Sequence, residues 1–168
     1  MIWLRLLLFV VIVPGTTLVW VPQLLLDAWP QRIDIGAARW LGILLAGSGA
    51  ALMLWCFRDF VTRGRGTPAP IDPPRTLVVG GPYRVVRNPM YVGALAVILG
   101  QAVWYGAPVL VVYAMVFLLA AHLFVVGYEE RTLARRFGRA YSEYRRAVPR
   151  WLPRVGHPER SEGSTAFE

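Results

Sequence analysis

Residues 81–93 read Gly-Pro-Tyr-Arg-Val-Val-Arg-Asn-Pro-Met-Tyr-Val-Gly, and they stand where a polar, arginine-bearing loop gives way to a long apolar segment. Asn88 suits a helix N-cap, because its side-chain oxygen can accept an orphan backbone N–H. Pro89 suits the first helical position, where its missing N–H is no loss and its φ is preset. The pair predicts a helix starting at Pro89, with the positive end of its dipole facing the loop. Arg84 and Arg87 add guanidinium groups beside that end, and together these features suit a carboxylate or a phosphate. Tyr91 follows Arg87 at i, i+4 and is expected on the same face. Gly93 removes a side chain and lets something approach the backbone. The pattern also fits an ordinary membrane-helix start with arginines that snorkel to the interface.

Composition points to the bilayer. Of 168 residues 56% are hydrophobic, and all 18 basic residues are arginine. That apolar share exceeds the usage of a typical soluble domain. The net charge of +8 does not argue for nucleic acid, because the arginines cluster beside apolar spans, where positive charge marks the cytoplasmic side. Cys56 is the one cysteine; it excludes an intrachain disulfide and reads as a small core residue. His122 and His157 lack a Cys or His partner at ligand spacing, so no metal site is expected.

Leu6–Leu26 carries no charge and is long enough to cross a bilayer of roughly 30 Å. It is too long for a signal-peptide core and has no small-residue cleavage site after it. It reads as a retained span, kinked at Pro14 and ending near Pro22. Trp40–Phe57 is a second span, whose Gly42, Gly47 and Gly49 permit close helix contact. In the stretch Arg58–Asn88, Gly64, Gly66, Pro68, Pro70, Pro73 and Pro74 exclude a long helix. Leu77-Val78-Val79 suits a short extended piece. Gly80-Gly81 does not continue into Gly-x-Gly-x-x-Gly, so a Rossmann nucleotide site is not expected.

From Asn88 to Tyr128 there are 41 residues without a formal charge, apart from the titratable His122. One helix of that length would measure about 60 Å, so the chain must fold back, at Tyr105-Gly106-Ala107-Pro108. His122 then lies inside the last span. An ionisable group there is a functional candidate, or a neutral histidine bonded between helices. Past Tyr128, Leu133, Phe137, Tyr141, Tyr144 and Val148 recur at helical spacing and form one face, with Arg135, Arg139 and Arg146 elsewhere. Such a helix suits the membrane surface or a cap on the bundle.

The chain thus divides into two spans (1–57), a Pro/Gly/Arg-rich cytoplasmic loop (58–88), a helical hairpin with a C-terminal helix (89–154) and a polar, disordered tail (155–168). The expected fold is all-α, a polytopic membrane bundle of about four transmembrane helices with a cytoplasmic amphipathic helix. Arginines number one before the first span, two around the first connection, six in 58–88, none in the tight turn and nine after Tyr128. The positive-inside rule then puts both termini and the middle loop in the cytoplasm. Arg87-Asn88 and Glu129-Glu130 fall on the same side. Two acids at the end of a span face the negative end of a helix dipole and need compensation. Arg84, Arg87 or Arg131 can supply it in a structural cluster; alternatively the acids bind cationic or hydroxyl groups of a zwitterionic, hydroxylated cofactor.

Arg-Asn-Pro-Met-Tyr-Val-Gly (87–93), Glu-Glu-Arg-Thr-Leu-Ala-Arg-Arg-Phe-Gly-Arg-Ala-Tyr-Ser-Glu-Tyr (129–144) and Val-Pro-Arg-Trp-Leu-Pro (148–153) resemble the isoprenylcysteine carboxyl methyltransferase family and its phospholipid methyltransferase relatives. The resemblance covers about Gly80 to Pro153. It implies an integral membrane methyltransferase of the bacterial inner membrane that uses S-adenosylmethionine without a Rossmann domain. It further implies that Tyr83, Arg87, Asn88, Pro89, Tyr91 and Gly93 line one side of the cofactor pocket. Glu129, Glu130, Tyr141, Tyr144 and Arg150 line the other, and His122 borders it. For a carboxylate, thiolate or amine acceptor, Arg87 or Arg150 could orient it, or a carboxylate such as Glu130 could take a proton. Asn88 replaces the histidine usual in the eukaryotic enzymes, which bears on their carboxyl substrate more than on the cofactor. The implied acceptor is an apolar or lipid-linked carboxylate, thiol or amine. Other readings of the same layout are an NADPH-dependent membrane reductase of the sterol-reductase type and a non-catalytic membrane adaptor.

Overall fold

The computed structural model describes residues 2–64 and 76–153, and the described residues are helical with irregular connections. The prolines at 68, 70, 73 and 74 and the expected tail at 155–168 lie outside the described residues. Helix α1 (Ile2–Gly15) passes through a widened turn at Thr16–Trp20 into α2 (Val21–Ala28), so the first span continues beyond Pro22. The expectation that it ends there is corrected by two side chains from elsewhere. Pro22 has no N–H, which removes one backbone donor from the turn that precedes it. The Tyr113 hydroxyl donates to the Thr17 carbonyl at 2.9 Å, and Gln101 Nε2 donates to the Leu18 carbonyl at 2.9 Å. With its carbonyls satisfied in this way, the helix can continue through hydrocarbon.

Helix α3 (Arg39–Thr62) runs five residues past the expected boundary at Phe57. It packs along α4 (Pro89–Tyr105), which starts at Pro89 as expected. Gly42 lies opposite Gly100 and Gly49 opposite Gly93, so both antiparallel pairs are separated by seven residues. A Cβ on Gly42 would fall 2.5 Å from the Gly100 oxygen, and one on Gly49 would fall 2.5 Å from the Gly93 oxygen. Gly47 has nothing within 4 Å and takes no part in this contact.

Gly106 ends α4 at φ +57°, in the left-handed conformation that glycine adopts without penalty. Its carbonyl accepts the Ile33 N–H at 2.7 Å, which ties the hairpin turn to the first connection. Both therefore lie at one end of the bundle. Helix α5 (Pro108–Phe124) leads through a second widened turn, Val125–Glu129, directly into α6 (Glu130–Ala147). The helix does not stop at the glutamate pair, so the opposing dipole expected there is absent. The last turn instead falls at Ala147, where Arg145 and Arg146 complement it. Gly138 breaks α6 at φ +51°. Leu133, Phe137, Tyr141, Tyr144 and Val148 are the sheltered positions of this region up to the break and beyond it, as their spacing predicts. Residues 77–79 form no strand; Val78 is buried against Cys56 and Tyr83 instead.

Among the described residues, three helical stretches are long and apolar enough to cross a membrane, Val10–Ala28, Gly36–Thr62 and the one beginning at Pro108. We read the apolar part of the last as ending at Tyr128. The expected fourth, α4, is apolar but only 17 residues long.

The glycine contact yields a paired test by thermal unfolding in detergent. Gly49→Ala should destabilise by about 1–3 kcal/mol through overpacking against the α4 backbone. Gly47→Ala should be neutral or slightly stabilising, because alanine favours the helix and meets nothing. Equal midpoints for the two variants would remove the close contact as a source of stability.

Candidate functional site

At the end of the bundle opposite Gly106, four segments converge: the loop before α4, its first turn, the α5–α6 junction and the strap Val148–Pro153 that follows α6. Pro89 fixes where α4 begins, so Arg87 and Asn88 fall just before the helix. Asn88 occupies the N-cap position, but its side chain does not cap. Its Nδ2 donates to the Arg150 carbonyl at 3.2 Å, while the Arg87 N–H donates to the Pro149 carbonyl at 2.8 Å. These two bonds dock the strap onto the start of α4.

Glu130 is the centre of charge. Arg150 grips it side-on, Nε to Oε1 at 2.7 Å and Nη2 to Oε2 at 3.1 Å. Arg87 Nη1 donates to Oε1 at 2.9 Å and to the Tyr141 hydroxyl at 3.2 Å. The side chains of Arg87 and Glu130 are each 9% exposed. Arg84, expected beside them, is exposed and stands outside the cluster. Glu129 turns the other way and accepts from the Tyr91 hydroxyl at 3.2 Å. Arg87 and Tyr91 therefore serve different carboxylates rather than sharing one ligand face.

The two acids are driven apart. Burial alone would raise the Glu130 carboxyl, but the hydrogen bond from Arg150 and the charges of Arg87, Arg150 and Arg145 outweigh it and hold its pKa below the usual value. Burial raises that of Glu129; the Tyr91 hydrogen bond offsets part of this, and the neighbouring Glu130 charge adds to it. Adjacent carboxyls with opposite shifts suit different tasks, one a fixed anion and the other a proton carrier.

Arg87, Asn88, Glu129, Glu130, Tyr141 and Tyr144 line a small cavity of ≈ 20 Å³, together with Val125 and Leu133. Arg87 Nε is buried and has no hydrogen-bond partner among the described residues. The other expected site residues lie outside this lining. Gly93 is buried against Gly49 and Met53, where it serves packing. Pro89 is buried in the first turn. Tyr83 is buried with Cys56 and Val78, and only its carbonyl reaches the site, accepting from the Tyr144 hydroxyl at 2.7 Å. His122 accepts from Trp151 Nε1 through Nδ1 at 3.1 Å. A larger hollow of ≈ 540 Å³ lies towards the other end, between Leu25, Trp29, Val112 and Val116. No charged residue lines it, so it offers nothing to a charged cofactor.

A protein-family description, phospholipid methyltransferase, matches residues 37–140. The chain belongs to the phospholipid methyltransferase family. It is 31% identical over 124 residues, 70% of its length, to "Methanethiol S-methyltransferase 2" of Bradyrhizobium diazoefficiens, covering 44% of that protein. It is 36% identical over 116 residues, 68% of its length, to "Cobalt-zinc-cadmium resistance protein CzcN" of Cupriavidus metallidurans, covering 47% of that protein. The chain thus spans about half the length of these curated relatives. No solved structure matches it. The match takes in α3 and α6 as far as Ala140, whereas Tyr141, Tyr144, Arg150 and Trp151, which the sequence resemblance includes, lie beyond it.

Sequence reasoning passed over Trp151, whose tryptophan–histidine contact joins residues 29 positions apart. It also missed the widened turn at Val125–Glu129, a feature that recurs at functional sites and has no local residue signature here.

The ion pairs predict an acid-labile anchor. Glu130 has a depressed folded-state pKa, so its contribution is present above the ordinary carboxylate range and is lost as pH falls through the folded-state value. Glu130→Ala should cost about 3 kcal/mol by stranding Arg87 and should flatten the acid side of a stability–pH curve. Glu143→Ala, which removes the exposed pair with Arg139, should change stability by no more than about 0.5 kcal/mol. Similar losses in both variants would contradict the anchor.

Proposed function

We propose that this chain is a membrane-embedded methyltransferase that uses S-adenosylmethionine and acts on an apolar or lipid-linked acceptor bearing a carboxylate, thiol or amine. The observation that carries this reading is the unpartnered, buried Arg87 Nε in a cavity wall that also holds two carboxylates and two tyrosines. This donor set suits a zwitterionic, hydroxylated molecule. Arg87 Nε can donate to a carboxylate, Glu129 and Glu130 can accept from an ammonium or from hydroxyls, and Tyr141 and Tyr144 offer aromatic walls. At ≈ 20 Å³ the cavity has room for about one water, so binding requires the strap Val148–Pro153 to move.

When bound, S-adenosylmethionine would supply an electrophilic methyl on a sulfonium sulfur, with Arg87, Glu129 and Glu130 placed to hold its charged and hydroxyl groups. The residues of this chain contribute alignment and the exclusion of water. Glu129, with its raised pKa, is suited to take a proton from a thiol or an amine. Arg150 can orient a carboxylate. The name of the Bradyrhizobium relative supports a thiol among the acceptors.

One observation favours a second reading, a structural ion-pair cluster without catalysis: both Glu130 oxygens already hold an arginine. Titration in detergent separates the possibilities. S-adenosylmethionine should bind and NADPH should not, and Glu129→Gln should weaken binding or turnover while the protein still inserts. NADPH binding would favour the sterol-reductase type, and binding of neither would favour the adaptor. Transfer from labelled cofactor in nanodiscs should then rise with acceptor chain length, by about 0.8 kcal/mol per buried CH₂. Equal use of a short, water-soluble acceptor would exclude acceptor binding from the bilayer.

We further place the site and both termini in the cytoplasm, across a bacterial inner membrane. The arginine distribution supports this orientation. A reporter fused after Arg65 should sit in the cytoplasm and one at Gly106 on the opposite side; the reverse pattern would overturn it.

A further inference from the structure

We propose that Trp151 is the gate between the bilayer and the polar cavity, held shut by His122. The proposal rests on the methyltransferase reading for its purpose, but the geometry is independent of it. Trp151 follows the strap residues that dock on α4, and its indole turns in towards the bundle. One neighbour is Tyr91 on α4, edge to face at 6.2 Å between centroids. The other is His122 on α5, with ring centroids 6.1 Å apart and the 3.1 Å bond from indole Nε1 to Nδ1. An indole N–H can only donate, so Nδ1 of His122 is the unprotonated acceptor in this arrangement.

The position of this contact gives it a role. His122 lies seven residues before Glu129, about 10 Å deeper along the helix, and its neighbours Leu119, Leu123 and Phe124 are exposed on an apolar surface. Tyr91, the residue whose ring meets Trp151, is also the one that binds Glu129. The indole therefore stands between α4 and α5, with the apolar exterior on one side and the Tyr91–Glu129 pair on the other. On its other flank α4 is closed by backbone-to-backbone contact with α3, and the aromatic face of α6 covers the top. A molecule dissolved in lipid that reaches Glu129 between α4 and α5 has to displace Trp151. The hydrogen bond to His122 sets how readily this happens, and the aromatic walls of the opened crevice select acceptors with apolar chains.

The test needs no knowledge of the true acceptor. Full-length protein in nanodiscs is exposed to a long-chain alkyl diazirine dissolved in the lipid, or to a short water-soluble diazirine, and label on the Glu129–Glu130 peptide is measured by mass spectrometry. Trp151→Phe keeps the ring and removes the donor. It should raise lipid-phase labelling by about 2- to 10-fold, the factor that one net hydrogen bond represents. Trp151→Ala should raise it further, and aqueous labelling should stay the same in both. His122→Ala combined with Trp151→Phe should label no more than either single variant, since both remove one bond. Unchanged lipid-phase labelling in Trp151→Phe and Trp151→Ala would overturn the gate. So would a parallel rise in aqueous labelling, which would mark general loosening of the strap. Titration of the unsubstituted protein with S-adenosylmethionine keeps the two claims apart: failure to bind defeats the methyltransferase reading, while the labelling result still decides the gate.

Discussion

The closeness of α3 and α4 is the constraint on which the rest of the structure depends. Lipid tails are as apolar as leucine, so two membrane helices gain little from hydrophobic burial and associate through packing of small residues. Gly42 against Gly100 and Gly49 against Gly93 allow backbone to meet backbone. That contact sets the height of Pro89 relative to the polar end of α3. Arg87 and Asn88 are thereby presented to α6 and the strap from a fixed base. A side chain at Gly49 or Gly93 would press on the first turns of α4, the base from which Arg87 reaches Glu130, 43 residues away in sequence.

The charge cluster depends on this geometry and adds little net stability of its own. Removing Arg87 and Glu130 from water costs several kcal/mol for each ion, and their attraction recovers that cost only where hydrogen bonds are well formed. Here the carboxylate receives three, two from Arg150 and one from Arg87. The continuous helix from α5 into α6 makes this possible, because a rigid junction holds the adjacent acids 129 and 130 towards different partners. What the cluster contributes is specificity of docking: the strap can be seated in one register only, with the carbonyls of Pro149 and Arg150 on the Arg87 N–H and the Asn88 amide.

Much of this was legible in the sequence where the physics is local. Pro89 at the first helical turn, the reversal at Gly106 and the sheltered face Leu133, Phe137, Tyr141, Tyr144 and Val148 all follow from residue type and spacing. The motifs that mark the family were legible too. What escaped depends on partners distant along the chain. Asn88 carries every mark of a capping residue, yet its amide goes to Arg150, 62 residues on. Gly42, Gly47 and Gly49 look alike as small residues, and only the position of α4 separates the two that pack from the one that does not. Gly138 interrupts a pattern whose periodicity gives no warning, because the sheltered face resumes after the break. Pro22 looked like a terminus because nothing nearby can replace its missing donor.

That replacement bears on how the molecule is made. The first helix leaves the ribosome one backbone donor short, at Pro22. The groups that complete it, Gln101 and Tyr113, are synthesised more than 80 residues later. The order of synthesis and the order of consolidation therefore run in opposite directions: the segment inserted first is among the last to acquire its full set of hydrogen bonds. The arrival of the α4–α5 hairpin completes the hydrogen bonding of the first helix around Pro22.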